Sequence, residues 1–101
     1  MTDETRFTAG GKQRRAIRAA LHDERAVVQV GKAGLEPEVI VSVEQALAAR
    51  EAIKVAVGRS CPLAPAEVAA TLARRVGAEV IERKGRVISL YRPAEENPPA
   101  R

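Results

Sequence analysis

Two groups of residues in this 101-residue chain have the types and spacing to hold an anion. The first is Gly31-Lys32-Ala33-Gly34, which follows the apolar run Val28-Gln29-Val30 and precedes Leu35 and Pro37. Glycines three apart let a backbone bend tightly and offer bare N–H groups, because neither carries a Cβ that would block an approaching group. A helix opening just after them would add partial positive charge and unpaired donors. Lys32 supplies a mobile point charge suited to phosphate. A turn of this kind can clamp a nucleic-acid backbone. The second group is Lys12, Arg14, Arg15 and Arg18, which share one side of a helical wheel with no acid before Asp23. Gln13, Ala16, Ile17, Ala20 and Leu21 fall on the other side. Lys54 is a third candidate, on the side of a strand away from Ile53 and Val55. Each has a plainer reading as well. The turn could be structural, with Glu36 and Glu38 stabilising the helix dipole; the charged arc could be a wet face; Lys54 could be a solvated strand lysine.

The elements that must position these residues follow from hydrophobic periodicity. Thr8 is a candidate N-cap for a helix over about 11–22, and 26–30 is a β-branched run that reads as a buried strand. A second helix has Pro37 in its first turn and Val39, Ile40, Val43, Ala46 and Leu47 as its inward stripe. Alternation over 53–57 predicts a strand, and 58–65 a loop. A third helix over 66–76 buries Val68, Leu72 and Val76, and Gly77 fits the stop after it. Runs 79–82 and 87–92 flank Arg83-Lys84-Gly85-Arg86, a hairpin signal. The fold class is therefore α/β, in the order α-β-α-β-α-β-β, with a four-stranded mixed sheet covered by helices. Helices between consecutive strands predict parallel pairing, and the last two strands must be antiparallel. Residues 1–7 read as a flexible N-terminal tail, 8–93 as one domain, and 94–101 as a flexible proline-containing tail.

Composition narrows the partner. With Phe7 and Tyr91 the only aromatic residues, a mode of binding built mainly on stacking bases against rings is excluded. Tyr91 itself reads as an edge of the core, with base stacking the alternative, and Arg92 at the same strand end is equally ambiguous. Net charge is +4 overall, but Asp3, Glu4, Glu95 and Glu96 lie in the tails. Residues 6–92 hold 16 basic and 9 acidic side chains, a net of +7 that suits a polyanion. The same charge is compatible with a soluble basic protein that has no such partner. Cys61 is the only cysteine and precedes Pro62, and His22 is the only histidine. A paired nucleophile and base is therefore not evident, and a four-ligand zinc site would need many carboxylates. His22 reads as a partner for the carbonyls ending the first helix. No Walker loop and no helix-turn-helix is apparent. No run reaches the roughly 20 apolar residues of a membrane span, and the N-terminus lacks a secretory signal.

In this order and spacing the motifs make the chain resemble the YhbY-like proteins, stand-alone single CRM domains. The match covers residues 8–93 and rests on four stretches. They are Gly11-Lys12-Gln13-Arg14-Arg15, Val28 to Leu35 across the glycine turn, Glu51-Ala52-Ile53-Lys54-Val55, and Leu90-Tyr91-Arg92-Pro93. Ala52 departs from the larger aliphatic residue expected there, which would thin the local core. The resemblance implies a fold like the C-terminal domain of translation initiation factor three. It also implies RNA binding through the glycine turn, and an association with precursors of the large ribosomal subunit.

The expectation is thus a cytoplasmic, monomeric, non-catalytic RNA-binding protein without cofactor, metal, membrane or small-molecule substrate. Its RNA-contacting residues would be Lys12, Arg14, Arg15, Arg18, Gly31, Lys32, Ala33, Gly34 and Lys54. The alternative is a small α/β protein–protein interaction or dimerisation module that binds no nucleic acid.

Overall fold

The computed structural model describes residues 10–93. The tails at 1–7 and 94–101, and the capping role of Thr8, lie outside the described residues. Seven elements follow in order: α1 (Gly11–Leu21), β1 (Val28–Val30), α2 (Pro37–Arg50), β2 (Ala52–Val57), α3 (Pro65–Val76), β3 (Glu79–Lys84) and β4 (Val87–Tyr91). This is the expected α-β-α-β-α-β-β order.

Helices α2 and α3 both open on a proline, at Pro37 and Pro65, where a missing N–H costs nothing. Gly77, with φ +66, ends α3 in the left-handed conformation. The passage from α2 to β2 takes a single residue. Glu51 alone turns the chain at φ +68, and it is the one non-glycine residue with positive φ among the described residues. Its carbonyl accepts from the Arg92 N–H at 2.8 Å, which ties this corner to the end of β4.

The four strands form one mixed sheet in the order β1-β2-β4-β3. Strand β1 pairs parallel with β2, and β4 pairs antiparallel with both β2 and β3. Sequence reasoning predicted that β2 and β3, joined by a helix, would pair directly. Instead β4 lies between them. Ile88 and Leu90 are fully buried, so β4 takes a central position, while β3, with Glu79, Glu82, Arg83 and Lys84, becomes a charged edge. Charged edge strands resist unwanted pairing with other chains.

The main core lies between one face of the sheet and helices α2 and α3. Val28, Val30, Ile53, Val55, Val57, Ile88 and Leu90 meet Val43, Leu47, Val68, Leu72 and Val76 there. Cys61 belongs to the same cluster, so its thiol packs as a small apolar group. The opposite face carries α1. A small second cluster of Ile81 and Tyr91, packed by Ile17 and Ala52, anchors that helix. Ala52 also lines a shallow surface depression of about 280 Å³ beside the end of α1. Among the described residues no helix is long and apolar enough to cross a membrane.

One irregularity fixes what faces α1. In β3, Val80 pairs with Leu90 and Glu82 with Ser89, so Ile81 is an extra, bulged residue. Simple alternation would send Ile81 and Glu82 to opposite faces. With the bulge, Ile81 packs beneath α1 while Glu82 and Lys84 also line the α1 side of the sheet.

Candidate nucleic-acid interface

The glycine turn sits at the carboxyl end of β1. Gly31, Lys32 and Ala33 are exposed, and the Gly34 N–H donates to the Gly31 carbonyl at 2.9 Å to close a four-residue turn. The amides of Lys32 and Ala33 donate to no other group among the described residues. No side chain caps the N-terminus of α2; Pro37 has no N–H and the Val39 and Ile40 amides donate to the Glu36 carbonyl, so the Glu38 amide is the one left uncovered in the first turn among the described residues. The turn is held from beneath by the neighbouring strand. The Gly58 N–H donates to the Val30 carbonyl at 2.8 Å, and Arg86 reaches the carbonyls of Val57 and Gly58 at 2.9 and 2.8 Å.

The two glycines differ in backbone and surroundings. Gly34 has φ +75, and a Cβ there would stand 3.7 Å from the Pro62 ring, an ordinary contact. Substitution would cost backbone strain of about 1–2 kcal/mol rather than a clash. Gly31 has neither a left-handed φ nor any atom within 4 Å of a built Cβ. Among the described residues nothing demands glycine at 31. Gly34→Ala should lower Tm by roughly 4–16 °C. Gly31→Ala should leave Tm nearly unchanged and lower RNA affinity. Thermal melting and fluorescence anisotropy on the two variants check this pair of outcomes.

Helix α1 is rotated relative to the sequence expectation. Ala16 and Ala20 are exposed, whereas Arg14 and Arg18 turn toward the sheet beside Ile17 and Leu21. The small second cluster offers too little apolar area to hold α1 alone, so polar groups complete the seam. Arg14 pairs with the Glu79 carboxylate and donates to the carbonyls of Val80 and Ile81, at 3.2 and 2.9 Å. Gln13 donates to the Tyr91 hydroxyl at 3.0 Å, and Tyr91 is buried, as its reading as core implied. Arg92 is committed elsewhere, bonding Glu44 and the Val76 carbonyl at 2.9 and 2.8 Å.

Between α1 and the uncovered part of the sheet lies a cleft of about 660 Å³. Arg15, Arg18, His22, Lys54 and Lys84 line it, with Glu82 its only acid among the described residues and with Ser89 and Val87 on its strand side. Arg18 stands 3.4 Å from Glu82. Lys54 donates to the carbonyls of His22 and Glu24 at 3.3 and 3.2 Å, which closes the end of α1. The His22 side chain, the sequence candidate for this role, bonds none of these carbonyls among the described residues; the lysine of the adjacent strand does so instead. Two of the three Lys54 donors are used in this way, which leaves one for the cleft. Lys12 and Arg15 lie one turn apart on the exposed side of α1.

The turn and the cleft occupy neighbouring regions. Val30 pairs with Val57, three strand residues beyond Lys54, so the glycine turn begins roughly 13 Å from the Lys54 row at the usual strand rise. Of the expected site residues, the structure brings Arg15, Arg18 and Lys54 into one cleft and puts Gly31, Lys32 and Ala33 on a nearby exposed turn. Gly34 is buried at the base of that turn, Lys12 continues the outer stripe of α1, and Arg14 is withdrawn into the helix–sheet seam. Lys84 and Ser89 were not singled out from sequence. The basic hairpin at 83–86 was the only hint of Lys84, and the face it occupies depends on the bulge at Ile81.

Comparison with known proteins bears on the family and the fold. The family model described as the CRS1/YhbY (CRM) domain matches residues 10–92. The chain is 36% identical to YqeI of Bacillus subtilis, named a probable RNA-binding protein, over 86% of this chain and 91% of that one. It is 41% identical to a protein of Methanocaldococcus jannaschii that carries the same description, over 94% of this chain and 72% of the relative. A solution structure from Staphylococcus aureus, described as a candidate RNA-binding protein, superposes with a TM-score of 0.74 at 32% identity, covering 90% of this chain and 95% of that one.

Proposed function

The chain belongs to the CRS1/YhbY (CRM) domain family, and from that premise we propose that it is a non-catalytic RNA-binding protein. It grips RNA phosphates through the glycine turn and the cationic face of α1. The observation that carries this reading is the turn with exposed Gly31, Lys32 and Ala33, whose two unengaged amides and lysine lie next to a cleft with four Lys and Arg side chains against one acid among the described residues. The names of the relatives point the same way.

Phosphates would meet the amides of Lys32 and Ala33, the Lys32 ammonium, and Lys12, Arg15, Arg18 and Lys54. Gly31 lets the strand approach, and Gly34 supplies the bend beneath. Arg14, with both terminal nitrogens already engaged, positions α1 rather than touching RNA. Contacts of this type fix orientation without reading bases, so preference would come from RNA shape. The natural partner is ribosomal RNA in large-subunit precursors, bound in the cytoplasm by a single copy of the domain spanning residues 8–93.

Lys32→Glu tests the reading. Affinity for a large-subunit ribosomal RNA fragment, followed by anisotropy at low salt, should fall about tenfold with Tm unchanged. Unchanged affinity in a folded variant overturns the role of the turn. Sucrose-gradient sedimentation of lysate should place the protein with large-subunit precursors; a free pool alone would refute the ribosomal assignment.

A further inference from the structure

The cleft beneath α1 is larger than phosphate contact needs. At about 660 Å³ it falls within the range of small-ligand pockets, whereas a phosphate held at a surface requires only donors. Its walls are also of mixed character. Leu21, Ala19 and Val87 offer apolar surface, and Arg15 and Lys84 stand at it with no ion pair among the described residues. Ser89 is only 5% exposed and is the one buried polar residue of the described chain. Its hydroxyl has no hydrogen-bond partner among the described residues, although it lies between the cleft-lining Lys54 and Glu82 in the sheet register. That hydroxyl oxygen is not among the fully buried unpartnered atoms, so it keeps access to solvent where it borders a cleft that a polar ligand can enter.

We infer that this cleft receives a single unpaired nucleotide of the bound RNA strand. This inference rests on the RNA-binding reading above and extends it to what the RNA must look like. The base would lie between the apolar wall and the Arg18 guanidinium, which Glu82 holds in place. A guanidinium plane substitutes for an aromatic ring in stacking an extruded base, and this chain has almost no rings to use. The base edge meets the Ser89 hydroxyl and the Glu82 carboxylate, which accepts from exocyclic amino groups. The flanking phosphates meet Arg15 and Lys84. The glycine turn, roughly 13 Å away along the sheet, then holds the same strand a few nucleotides on. The protein would in this way favour RNA with a bulged or looped nucleotide over an uninterrupted helix.

The experiment uses three labelled RNA hairpins of equal length: fully paired, with one bulged adenosine, and with an abasic site at the bulge. The full chain should bind the bulged adenosine about tenfold more tightly than either of the others. Val87→Phe, which fills the cleft from a half-buried strand position, should reduce the bulged hairpin to the paired level. Should that variant misfold, Ser89→Val, close in size and suited to a strand, should lower the preference at least threefold. Equal binding of all three hairpins overturns the nucleotide pocket and leaves phosphate binding intact. Failure to bind any of them refutes the RNA reading itself. Adenosine monophosphate, titrated alone, separates the two sources of such a ligand: tighter binding of the free nucleotide than of the bulged hairpin would overturn the assignment to an RNA strand.

Discussion

Between 50 and 200 mM salt, the affinity of this protein for a large-subunit ribosomal RNA fragment is expected to fall about fiftyfold. The estimate follows from the number of cations able to reach phosphate. Lys12, Arg15, Lys32 and Lys84 have no ion-pair partner among the described residues. Each releases about 0.7 of a counterion from a single strand, so four give a slope near −3 in log affinity against log salt. Lys54 and Arg18 contribute less to the slope, because carbonyls and Glu82 already share their charge. With two aromatic residues in the chain, no salt-insensitive stacking on rings is available to mask the electrostatic response. Anisotropy titrations over a salt series measure the slope, and Lys32→Glu should make it shallower by about one unit. A flat response would mean that the basic face is not the binding surface.

The second large effect separates two adjacent arginines. Arg14→Ala removes an ion pair to Glu79, whose side chain is 16% exposed, together with two hydrogen bonds to β3 carbonyls. Hydrogen bonds from a charged donor in a partly buried seam contribute about 2–3 kcal/mol in sum. For a domain of this size that corresponds to a loss of roughly 10–20 °C in Tm. RNA affinity measured well below the new Tm should stay within about twofold of the parent. Arg15→Ala should do the reverse. Its side chain is exposed, so stability changes by less than about 0.5 kcal/mol, while RNA affinity falls about fivefold. Arg14→Lys should not restore stability, because an ammonium cannot reproduce the fork that meets a carboxylate and two carbonyls together. Melting curves and titrations on the three variants decide the matter. Loss of affinity in Arg14→Ala without loss of stability would return Arg14 to the RNA surface.

These two arginines also mark the limit of what a helical wheel can reveal. The wheel separated charged from apolar residues in α1 but could not state how far the helix rolls toward the sheet. The outcome depends on the surface beneath, where Ile81, Tyr91 and Ala52 provide only a small apolar patch. Salt bridges and hydrogen bonds complete the contact, which draws Arg14 and Arg18 inward and leaves Ala16 and Ala20 outside. Lys54 shows the same limit on a strand. Alternation placed it correctly away from Ile53 and Val55, yet its partners are carbonyls of residues some thirty positions earlier in the chain.

By itself the sequence determined the order of elements, the apolar stripes of α2 and α3, and the glycine turn between β1 and α2. Each is encoded by neighbours within a few residues, through periodicity, proline and glycine placement, and local charge. Tertiary structure alone decided that β4 would separate β2 from β3, since that depends on which strand has the most apolar surface to bury. It also decided, through one bulged residue at Ile81, that Glu82 and Lys84 would share a face with Arg15, Arg18 and Lys54. The cleft exists because residues distant in sequence meet across a sheet whose register no local pattern specifies.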